Sequence, residues 1–591
     1  MKVEDSFQLE QYKLPKNVYD ATRSLNALLR RILPESVRKT VEADLRRFAK
    51  RIHDGVGRLA EGPHNEPRLV QYDHYGRRVD RLETSEGWRK LKDIAAEEGI
   101  VGIAFERQTG EYARVHQFAK IYLWVGDSRV VGCPMSMTDG AARVIEKYGT
   151  PLMKSSILPL LTTRDTTHAW TAGQFMTEKP GGSDVSRTET VATRAPGQGS
   201  TIQPGDLYIL DGFKWFSSAT DGNVALSLAR TGGPGSSGLS LFLLPLKARS
   251  FLPGSEASNN GVFVHRMKQK IGTRAVPTAE LSITGAHAYL VGELGQGVRN
   301  IATVLNITRM HSAFHAVGSV GRALMIATSY AGVRKVLNTN TGEYVLLQDL
   351  PIHTSFLLDT ALLHHALLHL LIPLSLFLGK SELGSSTPAE ESRLRLLTPV
   401  AKAFAGQRAS KSVQDCIEAL GGLGYMEEEP LSRLMRDSLV ERIWEGTGSV
   451  LAGDVCRVIG KSKHKAMDYY LEWAYSILAS STPHPSVSLL TAQLHTISHA
   501  THRVAKGSYD PRLPPALLAA LGYTTASLSM VQQANWASQT PGEEGELEWE
   551  MLNRWLGKAG ESLRELERLA VGEGQKELEV ERVIVHGRAK L

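Results

Sequence analysis

Three stretches of this chain bring together residue types able to do chemistry. The first is MTEKPGGSDV, Met176 to Val185, where the hydroxyls of Thr177 and Ser183 flank Gly181, Gly182 and the backbone N–H groups of a glycine turn. Hydroxyls and successive N–H groups of this kind suit a phosphate; a plain turn joining a helical region to a strand has the same wording. The second is GFKWFSSAT, Gly212 to Thr220, in which Phe216, Ser217 and Ser218 close a strand-like run. A buried strand with ordinary aromatic packing reads the same way. The third pairs EALGGLGYMEEEPLSRLMRD, Glu418 to Asp437, with RIWEGTGSV, Arg442 to Val450, and so holds Gly421, Gly422, Glu445 and Thr447. Apart from these, His365 and His369 lie four residues apart on one face of a helical segment. No third ligand of suitable spacing accompanies them, so no bound metal is expected.

The elements that must position these residues change along the chain. The first 165 residues read as helical, with Val41, Leu45, Phe48, Ile52, Val56 and Leu59 at helical spacing between Val37 and Leu59. The basic face of that helix (Arg46, Arg47, Lys50, Arg51) is expected to be a solvated face rather than a phosphate-binding one. From Gly173 the pattern becomes short strand-like runs separated by Gly, Pro and Ser: 207–216, 224–229, 239–244, 262–267 and 279–283. Gly233, Gly235 and Gly238 have dinucleotide-motif spacing, but a strand follows them rather than a helix, so a hairpin loop is the better reading. Helical periodicity resumes near Gly297. Thr387-Pro388-Ala389-Glu390 offers a cap residue, a proline at the first helical position and a glutamate to close a capping box, opening a helix to Leu420. Four units are expected: an N-terminal helical domain (1–170), a middle β domain (171–292), a C-terminal four-helix bundle (293–460) and an extra helical region (461–591).

Composition narrows the class. With 591 residues, 42% hydrophobic and 22% charged, the chain sits near the globular average, which excludes a collagen, a disordered tail protein or a disulfide scaffold. Three cysteines (Cys133, Cys416, Cys456) suggest a reducing compartment. The apolar stretch from Phe356 to Leu378 contains Asp359, three histidines and Pro373, and reads as a buried bundle helix rather than a membrane span. The N-terminus has no apolar h-region, so no secretory signal is expected. Ala589, Lys590 and Leu591 resemble the Ser-Lys-Leu address, which implies a peroxisomal location for a eukaryotic source and a cytoplasmic one otherwise.

Taken together the motifs resemble the acyl-CoA dehydrogenase superfamily, most of all its alkylation-response, AidB-like branch. The T-E-x-x-x-G-S-D core, the G-x-K-x-aromatic-x-Ser strand, the E-x-x-G-G-x-G-Y turn and the I-W-E-G-T segment stand in family order. KIGTRAVPTAEL (Lys270 to Leu281) and ELGQGVRN (Glu293 to Asn300) resemble family connectors, and PRLVQYDHYGRRVDRLE (Pro67 to Glu83) gives the AidB-like flavour. The resemblance spans roughly residues 60–460. It implies a mainly α fold with a central β-barrel-like domain between an N-terminal helical domain and a four-helix bundle, here with a C-terminal helical extension.

The same resemblance implies FAD as cofactor and α,β-dehydrogenation of an acyl-CoA thioester, with hydride passing to the flavin. Glu445 matches the family's base, which needs a dry pocket to raise its pKa, and Ile443 and Trp444 are expected to supply apolar surroundings. The Glu445 N–H and a flavin hydroxyl would hold the thioester oxygen. Some relatives carry the base at the position of Thr308, which cannot serve. Nitroalkane-oxidising relatives use an aspartate where this chain has Glu445. Thr177, Gly182, Ser183, Phe216 and Ser218 would contact the flavin and its pyrophosphate, and Thr447 would lie beside the base. Gly421 and Gly422 would receive the adenosine of a neighbouring subunit's flavin. Arg334 matches a cross-subunit arginine in part, since Leu337 replaces the usual aromatic and residues 338–344 look inserted.

The implied assembly is a homodimer or homotetramer, and the electron acceptor a flavoprotein or O2. The alternative is an AidB-like flavoprotein that binds DNA during alkylation damage. Charge ranks the two readings. Residues 461–591 hold 14 Lys+Arg and 15 Asp+Glu, a net of −1, whereas the whole chain is +6. DNA affinity rests on phosphate neutralisation, so the extension lacks the expected footprint and the enzyme ranks first.

Overall fold

A computed structural model describes residues 11–59, 66–247, 259–571 and 575–587. The Ala589–Leu591 tripeptide lies outside the described residues.

The N-terminal region is helical, with one insertion the sequence reading did not anticipate. Strands β1 (Arg68–Tyr72) and β2 (Arg78–Glu83) form an antiparallel hairpin within it. Asp73 sets the turn by accepting hydrogen bonds from the Tyr75 and Arg77 amides. The helix expected over 37–59 runs as Glu35–Arg51 and then loosens into a π-helical turn, Ile52–Val56, at Gly55. Its basic face is exposed and paired: Arg46 with Asp20, Arg47 with Asp44 and Glu98, Lys50 with Asp54, and Arg51 with Glu97 and Glu98. Those pairs satisfy the cations within the chain, in keeping with a solvated face.

The middle domain is a closed barrel. Strands β3 (Ala172–Phe175), β4 (Val191–Arg194), β5 (Leu207–Ser218), β6 (Val224–Arg230), β7 (Leu239–Pro245), β8 (Val262–Met267) and β9 (Thr278–Leu290) form one sheet. Its order is β3-β6-β4-β5-β9-β7, and β7 also pairs with β6, which closes the ring. All five runs expected from alternation are present; β3 and β4 are additional. The 233–238 glycines form the loop between β6 and β7, an antiparallel hairpin, as expected. The hairpin β1–β2 docks on β8: Gln71 and Arg78 both donate to the Val264 carbonyl, and the Val264 amide donates to Asp80.

Long helices follow. Gly297–Ala331, Pro351–Leu383, Pro388–Ala419 and Gly448–Lys461 make the bundle. Thr387 and Glu390 form the expected capping box, each side chain taking the other's amide at 3.2 and 2.9 Å. Pro351–Leu383 is long and apolar enough to cross a membrane by length and composition, yet 78% of its most apolar window is buried against the other helices. The extension adds Lys465–Ala479, Pro485–Ala505, Leu513–Gln539, Gly545–Val571 and Gln575–His586. One hydrophobic core runs from the N-terminal helices through the bundle into this extension.

Candidate active site

Glu445 sits in the turn between the 3-10 segment Leu439–Arg442 and helix Gly448–Lys461. Two close approaches hold that turn. A Cβ on Gly406 of Pro388–Ala419 would lie 2.3 Å from the Glu441 carbonyl, and Lys402 donates to the Gly446 carbonyl at 2.6 Å. Glu445 itself adopts φ 57°, a left-handed conformation that costs a non-glycine residue about 1–3 kcal/mol. The turn is thus forced by its packing, and it aims the carboxyl inward.

The Glu445 carboxylate accepts one hydrogen bond, from Thr308 Oγ1 at 2.7 Å. Burial pushes its pKa up, against the opposing effects of Thr308, Arg309 and Lys402; nearby Glu441 adds to the rise. The Lys402 amine is pushed down to about 8 by burial, partly offset by Glu441 and Glu445. Arg309 pairs with Asp454 at 3.0 Å and donates to the Glu445 backbone carbonyl at 3.4 Å. Among the described residues no backbone acceptor takes the Glu445 amide hydrogen, which leaves it available to an incoming oxygen. A partly buried carboxylate with one weak restraint and a free amide can remove a proton beside a carbonyl and hold the resulting oxygen.

The expected surroundings need one correction. Ile443 is 62% exposed and does not enclose the base. Its 3-10 segment ends one residue earlier, which turns that side chain outward. Trp444 is part-buried and donates its indole N–H to Glu441 and Ser312, at 2.6 and 3.1 Å. The apolar cover around Glu445 is therefore one-sided.

The two motifs of the middle domain are joined by a feature the sequence reading passed over. Glu178, next to Thr177, and Lys214, two residues before Phe216, are both fully buried and meet at 2.6 Å. Glu178 also accepts from the amides of Glu189 and Thr190 and from the Thr190 hydroxyl, and Lys214 donates to the Leu228 carbonyl. The Trp215 amide bonds the Thr177 carbonyl at 2.8 Å. The E of the first motif and the K of the second could have been paired on sight, as two ionisable residues inside otherwise apolar strand ends.

The other candidates lie on the two segments that this clamp joins. Gly182 and Ser183 are exposed, and a Cβ on Gly182 would press against Thr177 at 3.0 Å. Phe216 is 57% exposed in a left-handed conformation, φ 54°, with the Lys268 amine 4.9 Å from its ring centre. Ser218 shares a hydrogen bond with Thr278, which in turn accepts from Lys270. An exposed ring, hydroxyls and a glycine turn on joined segments fit a planar cofactor with a phosphate tail.

Gly421 and Gly422 lie exposed in the turn after Pro388–Ala419, with open space where a Cβ would stand. Thr447 is the residue before helix Gly448–Lys461 and is exposed. Arg334 is exposed at the foot of a second hairpin, β10 (Lys335–Leu337) and β11 (Tyr344–Leu346), so the inserted 338–344 segment supplies the hairpin's turn (338–343) and the first residue of β11. A cavity of about 210 Å³ lies elsewhere: Lys92, Trp170, Asn223 and Lys247 line it, between the N-terminal helices and the barrel. His365 and His369 do meet a third side chain, Glu548, which no sequence spacing could reveal.

Comparison with known proteins accords with this arrangement. Three family models match consecutive parts of the chain: the adaptive response protein AidB N-terminal domain over residues 10–166, the acyl-CoA dehydrogenase middle domain over 173–286, and the acyl-CoA dehydrogenase C-terminal domain over 295–460. The chain belongs to the acyl-CoA dehydrogenase family. It is 41% identical over 456 residues to acyl-CoA dehydrogenase family member 11 of Caenorhabditis elegans, covering 75% of this chain and 70% of that protein. It is 31% identical over 416 residues to the putative acyl-CoA dehydrogenase AidB of Escherichia coli K12, covering 69% and 71%. The crystal structure of Caenorhabditis elegans ACDH-11 in complex with C11-CoA superposes with a TM-score of 0.86 at 32% identity, covering 99% of this chain and 98% of that one. An acyl-CoA dehydrogenase from Bacillus anthracis complexed with FAD has the same fold at 18% identity and a TM-score of 0.65, covering 84% and 86%.

Proposed function

We propose that this chain α,β-dehydrogenates an acyl-CoA thioester of medium chain length, with Glu445 as the base. It is by family a flavin-dependent oxidoreductase with FAD as cofactor. The observation that carries the reading is the Glu445 carboxyl: partly buried, restrained by one hydroxyl and pushed up in pKa by desolvation. Bound FAD supplies the hydride acceptor. The protein's part is to orient the thioester oxygen toward the Glu445 amide, exclude water from the carboxyl, and take the α proton onto it. Thr177, Gly182, Ser183, Phe216 and Ser218 would hold the flavin, with Thr447 near the base. The chain length rests on the C11-CoA complex of the nematode relative.

A second copy of the chain is part of this reading. Leu337, Tyr344, Ile352 and Tyr425 are 49%, 73%, 80% and 80% exposed around the β10–β11 hairpin, the start of Pro351–Leu383 and the 421–425 turn. Exposed apolar residues gathered near Arg334, Gly421 and Gly422 favour a dimer or tetramer in which these residues complete a neighbour's cofactor site.

The DNA-binding reading is weaker on charge. Arg512 and Arg568 of the extension are committed to Asp510, Glu565, Glu577 and Glu581. The decisive experiment is an anaerobic titration of the flavin colour with short, medium and long acyl-CoAs. Bleaching by the medium-chain members is expected. No bleaching by any of them, together with salt-sensitive DNA binding, would favour the alternative. Peroxide release under air separates an oxidase from a dehydrogenase that uses a flavoprotein acceptor.

A further inference from the structure

Helix Pro351–Leu383 carries His365 and His369 one turn apart, each less than a twentieth exposed. Helix Gly545–Val571 of the extension brings Glu548, equally buried, against them. One ligand atom from each of the three lies within 4.8 Å of the others. His365 Nε2 and Glu548 Oε2 stand 3.4 Å apart. Three atoms here are buried without a hydrogen-bond partner: His365 Nε2, His369 Nε2 and Glu548 Oε2. Buried polar groups are nearly always paired, so three unpaired ones converging on one point indicate a missing partner.

The opposite atoms of the same groups are all engaged. His365 Nδ1 bonds Ser24 at 2.8 Å, His369 Nδ1 bonds Ser529 at 3.2 Å, and Glu548 Oε1 accepts from Arg23 at 3.0 Å. This outer ring fixes each imidazole so that its Nε2 faces the cluster, the pattern by which metal-binding histidines are oriented. Arg23 and Arg31 are the cations packed against the cluster. Arg23 bonds Glu544 and Glu548, and Arg31 bonds Gln533 and Ser529. Neither supplies the two imidazole nitrogens with a partner, since a guanidinium only donates and meets other acceptors here.

We propose that His365, His369 and Glu548 bind a divalent transition-metal cation, with Zn2+ the best fit, that clips the C-terminal extension to the bundle. Two imidazoles and a carboxylate are a zinc donor set, and three protein ligands leave a fourth position for water. A tetrahedral ion with bonds of about 2.0–2.1 Å separates its ligand atoms by about 3.3–3.4 Å, the spacing His365 and Glu548 already have. The neutral imidazole is the form that ligates. No residue that touches Glu445 touches this triad, so the ion stands apart from the proposed reaction. It joins helices of the N-terminal domain, bundle and extension through Ser24, His365, His369, Ser529 and Glu548.

The test uses the full-length protein stripped with a chelator and titrated separately with Zn2+ and Co2+. Retention of a single Zn2+ per chain after gel filtration is expected, with a visible Co2+ difference spectrum of low-coordinate type and a raised melting temperature on metal addition. Glu548→Gln and His369→Gln should lose all three responses, and Ser24→Ala should weaken Zn2+ binding about 10–100-fold. Wild type that retains no Zn2+ and gives no such Co2+ spectrum would overturn the site. So would a folded Glu548→Gln protein that binds as wild type does. If both ligand variants fail to fold, the wild-type Co2+ spectrum and Ser24→Ala decide the matter, since imidazole ligation has its own signature.

Discussion

Asp139 is a fully buried carboxylate and Glu445 a partly buried one; both face the first bundle helix, and they are held in opposite ways. Asp139, in the N-terminal domain, accepts from Arg114 at 2.6 Å, Gln117 at 2.9 Å and His311 at 2.9 Å. Burial alone would raise its pKa, but Arg114 and His311 outweigh burial and bring it down to about 2. Glu445 has Thr308 alone as a direct partner, and burial wins. Depth in the core therefore does not decide whether a carboxylate is structural or reactive. The number and charge of its donors do. Asp139 spends its charge on joining the N-terminal domain to the bundle, with Arg114 also pairing with Glu382. Glu445 has no such cationic partner, which on the proposed reading leaves its carboxyl free to take a proton from a substrate.

The sharpest way to test that contrast is to neutralise each carboxylate in turn. Glu445→Gln should keep its fold and yellow colour and lose about 10²–10⁴-fold in the rate of acyl-CoA-dependent bleaching. Anaerobic rapid mixing measures this; unchanged bleaching would remove Glu445 as the base. Asp139→Asn should do the reverse. Arg114 keeps Glu382 but loses its other buried anion, at a cost of up to about 3–5 kcal/mol read in denaturant unfolding, while the protein that remains folded keeps its rate of acyl-CoA-dependent bleaching.

Much of this was legible in the sequence. Strands β5, β6, β7 and β8 stand out as apolar runs bounded by Gly, Pro and Ser, and the Thr387–Glu390 box marks its helix by chemistry alone. Strands β3 and β4 span four residues each, too short for any periodicity, and exist because neighbouring strands supply their hydrogen bonds. The β1–β2 hairpin was hidden by its exposed, charge-rich wording, which lacks an apolar face. At the site, the third partner of His365 and His369 was invisible because Glu548 reaches them only through tertiary packing. The outward turn of Ile443 depends on where a 3-10 segment stops, which pattern does not encode.

Two finer changes sharpen the comparison. Thr308→Val removes the hydroxyl that favours the charged form of Glu445, so its pKa rises further and the acidic limb of the pH–rate profile moves to higher pH. A loss of about 10-fold near neutrality is expected, measured as kcat against pH. The smallest effect is on stability. A carboxyl whose folded pKa lies above its unfolded value stabilises below about pH 4.3 and loses that contribution as pH rises through the folded pKa. Glu445→Gln should therefore melt above wild type at neutral pH, with the gap closing on acidification. A variant that melts lower at pH 7 would show that the charged carboxylate is welcome in the fold.

The buried Glu178–Lys214 bond welds the glycine turn to the strand end that bears Phe216 and Ser218. These two halves of the cofactor face cannot drift apart when nothing is bound, since separation would strand a charge in the barrel wall. On the proposed reading, a flavin would meet a surface already assembled before it arrives.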